Sequence, residues 1–158
     1  MAAKVSAEVS VAESSAFLKS SNQILKDDRA EKLEIYLKSH DSPLFEYADT
    51  FIIVADKYNL DWRLIPAITG VESTFGKRIP KNSFNAYGWA NGEYKFHSWD
   101  ESIEIVGKTL REKYIDRGAP TINKIARRYA PPSSSWAWKV KFFMARIDSF
   151  PVYFDLEG

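Results

Sequence analysis

One carboxylate stands out by its neighbours. Glu72 closes an apolar segment, Ile68–Lys77, that reads Ile-Thr-Gly-Val-Glu-Ser-Thr-Phe-Gly-Lys. In helical register Ile65, Ile68 and Phe75 fall seven before, four before and three after Glu72, so they share its face. A carboxyl set among such side chains at the mouth of a groove is desolvated. Desolvation penalises the anion and raises the pKa. An acid that keeps its proton near neutral pH is what protonation of a departing glycosidic oxygen requires. A connection from Arg78 to Ser83 leads to Phe-Asn-Ala-Tyr-Gly-Trp at 84–89. Its Asn85, Tyr87 and Trp89 are polar and aromatic side chains suited to the wall of a sugar groove. Each has a plainer reading: Asn85 can hold its own turn, and Trp89 can be core.

Composition limits the other chemistries. The chain has 158 residues, enough for one domain with a core, and its 45% hydrophobic and 27% charged content is ordinary for a globular protein. A formal net charge of +1 argues against a nucleic-acid binder driven by bulk charge. There is no cysteine, hence no disulfide and no thiolate nucleophile or metal ligand. His40 and His97 share no ligand spacing and read as surface residues, so neither a metal nor another cofactor is expected. No run of 18 apolar residues spans a membrane. Lys124, Arg127 and Arg128 form a basic patch that reads as a solvated helix face or as a contact for carboxylates.

Several elements must position Glu72. Residues 1 to about 27 read as a weakly anchored arm with a helical turn near Phe17 to Leu25, and 28–39 as a short amphipathic helix. Ser42-Pro43 starts a helix with Leu44, Tyr47, Ala48, Phe51, Ile52, Ala55 and Tyr58 on one stripe. Asp61 caps the next helix, which runs to about Thr74; Pro66 in its second turn delays the start or kinks it, and Gly76 ends it. Asn85 to Phe96 reads as a β-hairpin around Asn91-Gly92, with Tyr94 and Phe96 alternating on the return strand. Ser98 to Glu101 has the spacing of a capping box and opens a helix carrying Ile103, Val106, Leu110 and Tyr114. Thr121 caps a short helix to Tyr129, and a last helix begins near Ser134 or Ser135 with Trp136, Val140, Phe143 and Ile147 inward. The expected fold class is α+β and predominantly α-helical, with a small β-hairpin lobe beside the groove. Residues 1–40 form an appendage, 41–150 the main domain and 151–158 a tail.

Glu72-Ser73, then Phe75-Gly76-Lys77, then Asn85-Ala86-Tyr87-Gly88-Trp89, then Tyr94 to Ile103, then Tyr129-Ala130-Pro131-Pro132 and Trp136 form an ordered set over residues 42 to 147. That set resembles the lysozyme-like superfamily, nearest the soluble lytic transglycosylases and autolysin-type glucosaminidases. The resemblance implies a lysozyme-like fold and cleavage of the β-1,4 glycan strand of peptidoglycan. It implies Glu72 as general acid, and Ser73 positioning that carboxyl or meeting an N-acetyl group. It implies Tyr129 as the groove tyrosine flanking acid and sugar, and Asn85, Tyr87 and Trp89 lining sugar sites. Ser73 can also simply satisfy the helix end, and Tyr129 can be core.

The chain departs from that pattern in two ways. Tyr87-Gly88-Trp89 stands where many transglycosylases carry Gly-Leu-Met-Gln. The second carboxylate of a hydrolase, about 5–5.5 Å from the acid for retention or about 6.5–9.5 Å for inversion, is not marked; Glu93 in the expected hairpin is the candidate. Asp100 and Glu101 fit helix capping better. Without a second carboxylate the substrate's own C6 hydroxyl can attack C1, the transglycosylase outcome. The expected partner is the peptidoglycan glycan strand, met by a monomer outside the cell or in its envelope. The alternative is a groove that binds glycan without turnover.

Overall fold

The computed structural model describes residues 27–152, and the expected arm, the helical turn near Phe17 to Leu25 and most of the tail lie outside the described residues. Six α-helices follow in order: α1 Asp28–Ser39, α2 Ala48–Lys57, α3 Leu64–Ser73, α4 Trp99–Thr109, α5 Ile122–Tyr129 and α6 Trp136–Asp148. A 3₁₀ turn, Phe45–Tyr47, precedes α2, and α4 continues into a π-helical turn at Leu110–Ile115. None of the helices among the described residues is long and apolar enough to cross a membrane.

The helix starts follow the capping residues in the sequence. Ser98 Oγ accepts from Glu101 N at 3.1 Å, and Thr121 Oγ1 accepts from Lys124 N at 3.3 Å. Glu101 returns its carboxylate to the backbone one residue earlier than a standard box, accepting from His97 N at 2.6 Å. Pro66 does delay α3. The helix starts at Leu64, where the proline falls in the first turn and removes no helical hydrogen bond.

α3 is the central helix. Leu64 to Gly70 and Ser73 are all buried, and it packs chiefly on α6. Its apolar sequence is what an element surrounded on nearly all sides needs. α2 and α4 meet at Gly107, where a side chain would run into Val54. The core continues through Leu33, Tyr36 and Leu37 of α1, Phe51 of α2, Ile103 and Val106 of α4, and Val140 and Ile147 of α6.

Two expectations are corrected here. The first is the β-hairpin lobe and, with it, the α+β class: the described residues form helices and turns, with no strand and no sheet. Asn91-Gly92 does take the left-handed backbone that a hairpin turn uses, with φ of 53° and 89°. Ala90 is left-handed as well, with φ of 50°, and so is Gly88 at 71°. The chain therefore coils into a tight turn, Trp89–Gly92, instead of reversing between strands. The Trp89 and Tyr94 carbonyls bond to the Asn85 side-chain amide, at 2.9 and 3.1 Å. Phe96 N reaches Ser83 O at 2.9 Å as an isolated backbone bond.

The second correction concerns Phe75, just past the end of α3. The helix stops at Ser73, ahead of Gly76, because Thr74, Phe75 and Gly76 are left-handed in succession, with φ of 54°, 58° and 78°. Phe75 therefore leaves helical register and does not share a helical face with Glu72. Its ring sits in the core against Tyr36, His40 and Phe143, at centroid distances of 5.6, 4.8 and 5.1 Å. His40 is consequently half-buried, with Nδ1 2.9 Å from Tyr36 O.

Gly70 makes room for this turn: a Cβ there would lie 2.6 Å from the Phe75 ring, which is boxed in by those neighbours. Gly70→Ala should destabilise the fold by about 1–3 kcal/mol through overpacking, despite the roughly 1 kcal/mol helix preference of Ala over Gly. Thermal unfolding measures it; an unchanged or raised midpoint would contradict this account of the turn.

Candidate active site

Glu72 is the penultimate residue of α3, and its carboxylate reaches the first residue of α6. Trp136 Nε1 donates to Glu72 Oε1 at 2.6 Å. The other carboxylate oxygen faces Gly88, where a Cβ would stand 2.6 Å from Oε2. Gly88 is left-handed, with φ of 71°. Close approach and backbone conformation thus both call for glycine between Tyr87 and Trp89.

Burial pushes the Glu72 pKa above its ordinary value, while the Trp136 hydrogen bond and the charge of Lys139 pull the other way. Desolvation prevails. The carboxyl holds its proton to higher pH than a solvated Glu.

Tyr129 organises the opposite wall. Its ring stacks on Trp136 at 4.9 Å and 27°. Its hydroxyl donates to Tyr87 O at 2.6 Å and accepts from Trp89 Nε1 at 3.2 Å. Burial, and then the charge of Glu72, raise its pKa, so it stays a neutral phenol. Trp89, Tyr129, Trp136 and Glu72 are therefore linked through one stack and two indole donors.

A groove of about 450 Å³ opens beside this cluster, lined by Gly88, Trp89, Ala90, Asn91, Tyr94, Thr109, Tyr114 and Tyr129. Gly88 and Tyr129 belong to both the groove and the surroundings of Glu72. The π-helical turn at Leu110–Ile115 follows Thr109 directly and carries Tyr114, which packs on Tyr129 at 6.0 Å. Such turns re-aim side chains relative to a regular helix.

The residues singled out from sequence divide into two groups. Trp89 and Tyr129 line the groove, and Glu72 lies next to it behind Gly88. Ser73, Asn85 and Tyr87 lie beneath it, buried. The Ser73 hydroxyl is close to Thr69 O at 3.0 Å and Ala86 O at 2.9 Å and accepts from Gly76 N at 2.9 Å, so it ties the end of α3 to the 84–89 segment. Asn85 bonds four backbone groups: Oδ1 accepts from Tyr87 N and Trp89 N, and Nδ2 donates to Trp89 O and Tyr94 O. Tyr87 is 0% exposed, its hydroxyl 3.2 Å from Ser102 Oγ. These three position the wall and offer no surface to a ligand.

Glu93 is exposed on the turn after Gly92, and it is not among the groove-lining residues. Asp100 is exposed and accepts from Thr50 Oγ1 at 2.8 Å, a link between helices. The sequence reading missed Gly88, Tyr94 and Tyr114 as lining residues and Trp136 as the donor to Glu72. Gly88 carried one usable signal, a glycine between two aromatic residues. Nothing in the sequence pattern marks the π-helical turn that presents Tyr114. Compared with known proteins, the chain matches no family model and no curated sequence.

The raised pKa of Glu72 has a consequence for stability. A carboxyl whose folded pKa exceeds its unfolded value favours folding at low pH, and that contribution is lost as pH rises through the folded pKa. Glu72→Gln removes the penalty of burying the anion. The variant should melt above the parent at pH 7, and the difference should vanish below about pH 4, where the carboxyl is protonated in both states. Calorimetric melts across pH check this; a variant less stable than the parent at pH 7 would contradict it.

Proposed function

We propose that the protein cleaves the β-1,4 glycan strand of peptidoglycan, with Glu72 as the general acid. The observation that carries the reading is a carboxyl held partly out of water, with a raised pKa, behind the glycine wall of an aromatic groove. Trp89, Tyr94, Tyr114 and Tyr129 offer rings for sugar stacking. The order of the sequence motifs adds the substrate class.

In this reading Glu72 gives its proton to the leaving O4 as the C1–O4 bond breaks. Glu72 stands behind Gly88, and neither it nor a second carboxylate is among the residues lining the groove itself. In this proposal the nucleophile is the substrate's own C6 hydroxyl. Its oxygen bonds to C1, its proton passes to the Glu72 carboxylate, and a 1,6-anhydro end results. The same lack of a second carboxylate favours one other reading, a groove that retains glycan without cutting it.

Mass spectrometry of a wall digest separates these outcomes. Anhydro muropeptides are expected from the parent protein, and Glu72→Gln should lower their release by at least about 10²-fold, as loss of a general acid does. Full activity in the variant overturns the assignment. Walls that sediment with the parent protein yet release nothing select the binding module.

The pH profile tests the proton's role. Activity should fall as pH rises through the elevated pKa of Glu72, because the acid must be protonated. Trp136→Phe keeps an aromatic ring and removes the donor that favours the carboxylate. The alkaline limb of the profile should then move to higher pH; an unmoved limb would show that this hydrogen bond does not set the titration.

A further inference from the structure

α6 has two faces. Trp136, Val140, Met144 and Ile147 point into the fold. The opposite side carries Trp138, 64% exposed, and Phe142, 44% exposed. They lie one helical turn apart, about 40° from each other around the axis. Their rings stack at 5.5 Å and 21°, making one continuous apolar plate. Arg146 lies over the Phe142 ring, 5.9 Å from its centroid.

Charge around the plate is one-sided. From Thr121 to the end of α6 the chain holds six basic residues, Lys124, Arg127, Arg128, Lys139, Lys141 and Arg146, and one acidic residue, Asp148, which pairs with Arg63 at 3.3 Å. The whole chain carries only +1, so the remainder is net acidic. Among the described residues the cations with carboxylate partners lie on other elements, Arg29, Lys38, Lys57, Arg63, His97 and Arg111, with Arg63 reaching Asp148 at the end of α6, and none of the six on α5 and α6 has such a partner. Lys141 Nζ instead donates to Asn123 Oδ1 at 2.9 Å, which brings α5 and its cations alongside one edge of the plate. Arg146 flanks the other edge.

We infer that this face of α5 and α6 docks on an anionic phospholipid bilayer, with Trp138 and Phe142 entering the headgroup region and Lys124, Arg127, Lys141 and Arg146 meeting lipid phosphates. A stacked Trp–Phe plate rimmed by cations is the pattern that binds membrane interfaces, where buried apolar area and attraction to anionic lipid add together. The charge complementarity selects the bilayer's anionic lipids. The docking does not rest on Glu72 or on glycan cleavage.

Sedimentation of the full chain with phosphatidylcholine vesicles, with and without phosphatidylglycerol, tests it. The protein should pellet with the anionic vesicles only. Each Lys→Glu or Arg→Glu change at 124, 127, 141 or 146 should weaken binding at least about 5-fold, the worth of one cation near an anionic surface. Raised salt should weaken it further. Trp138→Ser combined with Phe142→Ser should abolish binding with the circular dichroism spectrum preserved, and Glu72→Gln should bind like the parent. Tryptophan emission should shift to the blue on binding, and Trp138→Phe should lose that shift. Equal binding to both vesicle types, no binding, or full binding by the double variant overturns the inference. So does a double variant whose only loss is sedimentation with purified cell walls, which would assign the plate to glycan.

Discussion

The site depends on where α3 stops. Glu72 can reach α6 because the helix ends one residue later, and it ends there because Thr74, Phe75 and Gly76 all turn left-handed. For a β-branched and a bulky residue this conformation costs about 1–3 kcal/mol each. What sustains it is the Phe75 ring. Burying it contributes about 1.5–3 kcal/mol, and its edge-on partners Tyr36 and Phe143 add about 0.5–1.5 kcal/mol each. The backbone is held as well: Ser42 Oγ donates to Phe75 O at 2.7 Å, and Phe75 N to Thr69 O at 3.0 Å. Strain at the residues after the candidate acid is thus balanced by core packing on the side away from the groove. Gly70, two residues before Glu72, is part of the same balance.

A side-chain amide then does what a sheet would do. The 84–96 segment bends over Glu72 with only isolated backbone pairs to hold it. Asn85 supplies the missing bonds, two as acceptor and two as donor, and Ser73 fixes the segment to α3 through Ala86 O. A buried amide with four partners is fully satisfied, so its rigidity carries no desolvation penalty for an orphaned group. This anchoring sets Gly88 against Glu72 and Trp89 against Tyr129.

These two features mark how far the sequence could be read. The helices were legible because apolar residues recur at helical spacing and Ser98 and Thr121 cap where their side chains predict. Glu72 was legible as a charge in an apolar run. The hairpin was misread because Asn91-Gly92 is a strong local signal for a left-handed pair. The pair is indeed left-handed, but Ala90 extends the coil, and the carbonyls that would pair across strands already belong to Asn85. The role assigned to Phe75 failed for a related reason. Helical spacing placed it beside Glu72, whereas a non-local packing demand pulled it out of register. The first error came from a side chain within the segment competing for the strand carbonyls, the second from a tertiary contact that overrides a local preference. Ser73 and Asn85 were flagged as polar residues with a task, and the plainer readings of both, a helix end and a turn, match the bonds they make.

α6 joins the remaining parts. Its first residue, Trp136, donates to Glu72, and two positions later Trp138 faces the solvent. A step of two residues rotates a helix by about 200°, so consecutive indoles on this helix serve opposite sides of the molecule. Lys139 lies between, near enough to oppose the desolvation of Glu72. Its single charge leaves the carboxyl's pKa raised, whereas a direct ion pair would hold the acid ionised and unable to protonate anything. Among the described residues the carboxylate-paired cations lie on other elements, and those of α5 and α6 have no carboxylate partner. That segregation serves both faces at once. It keeps carboxylates other than Glu72 from the inner end of α6, and it gives the outer face a uniform sign.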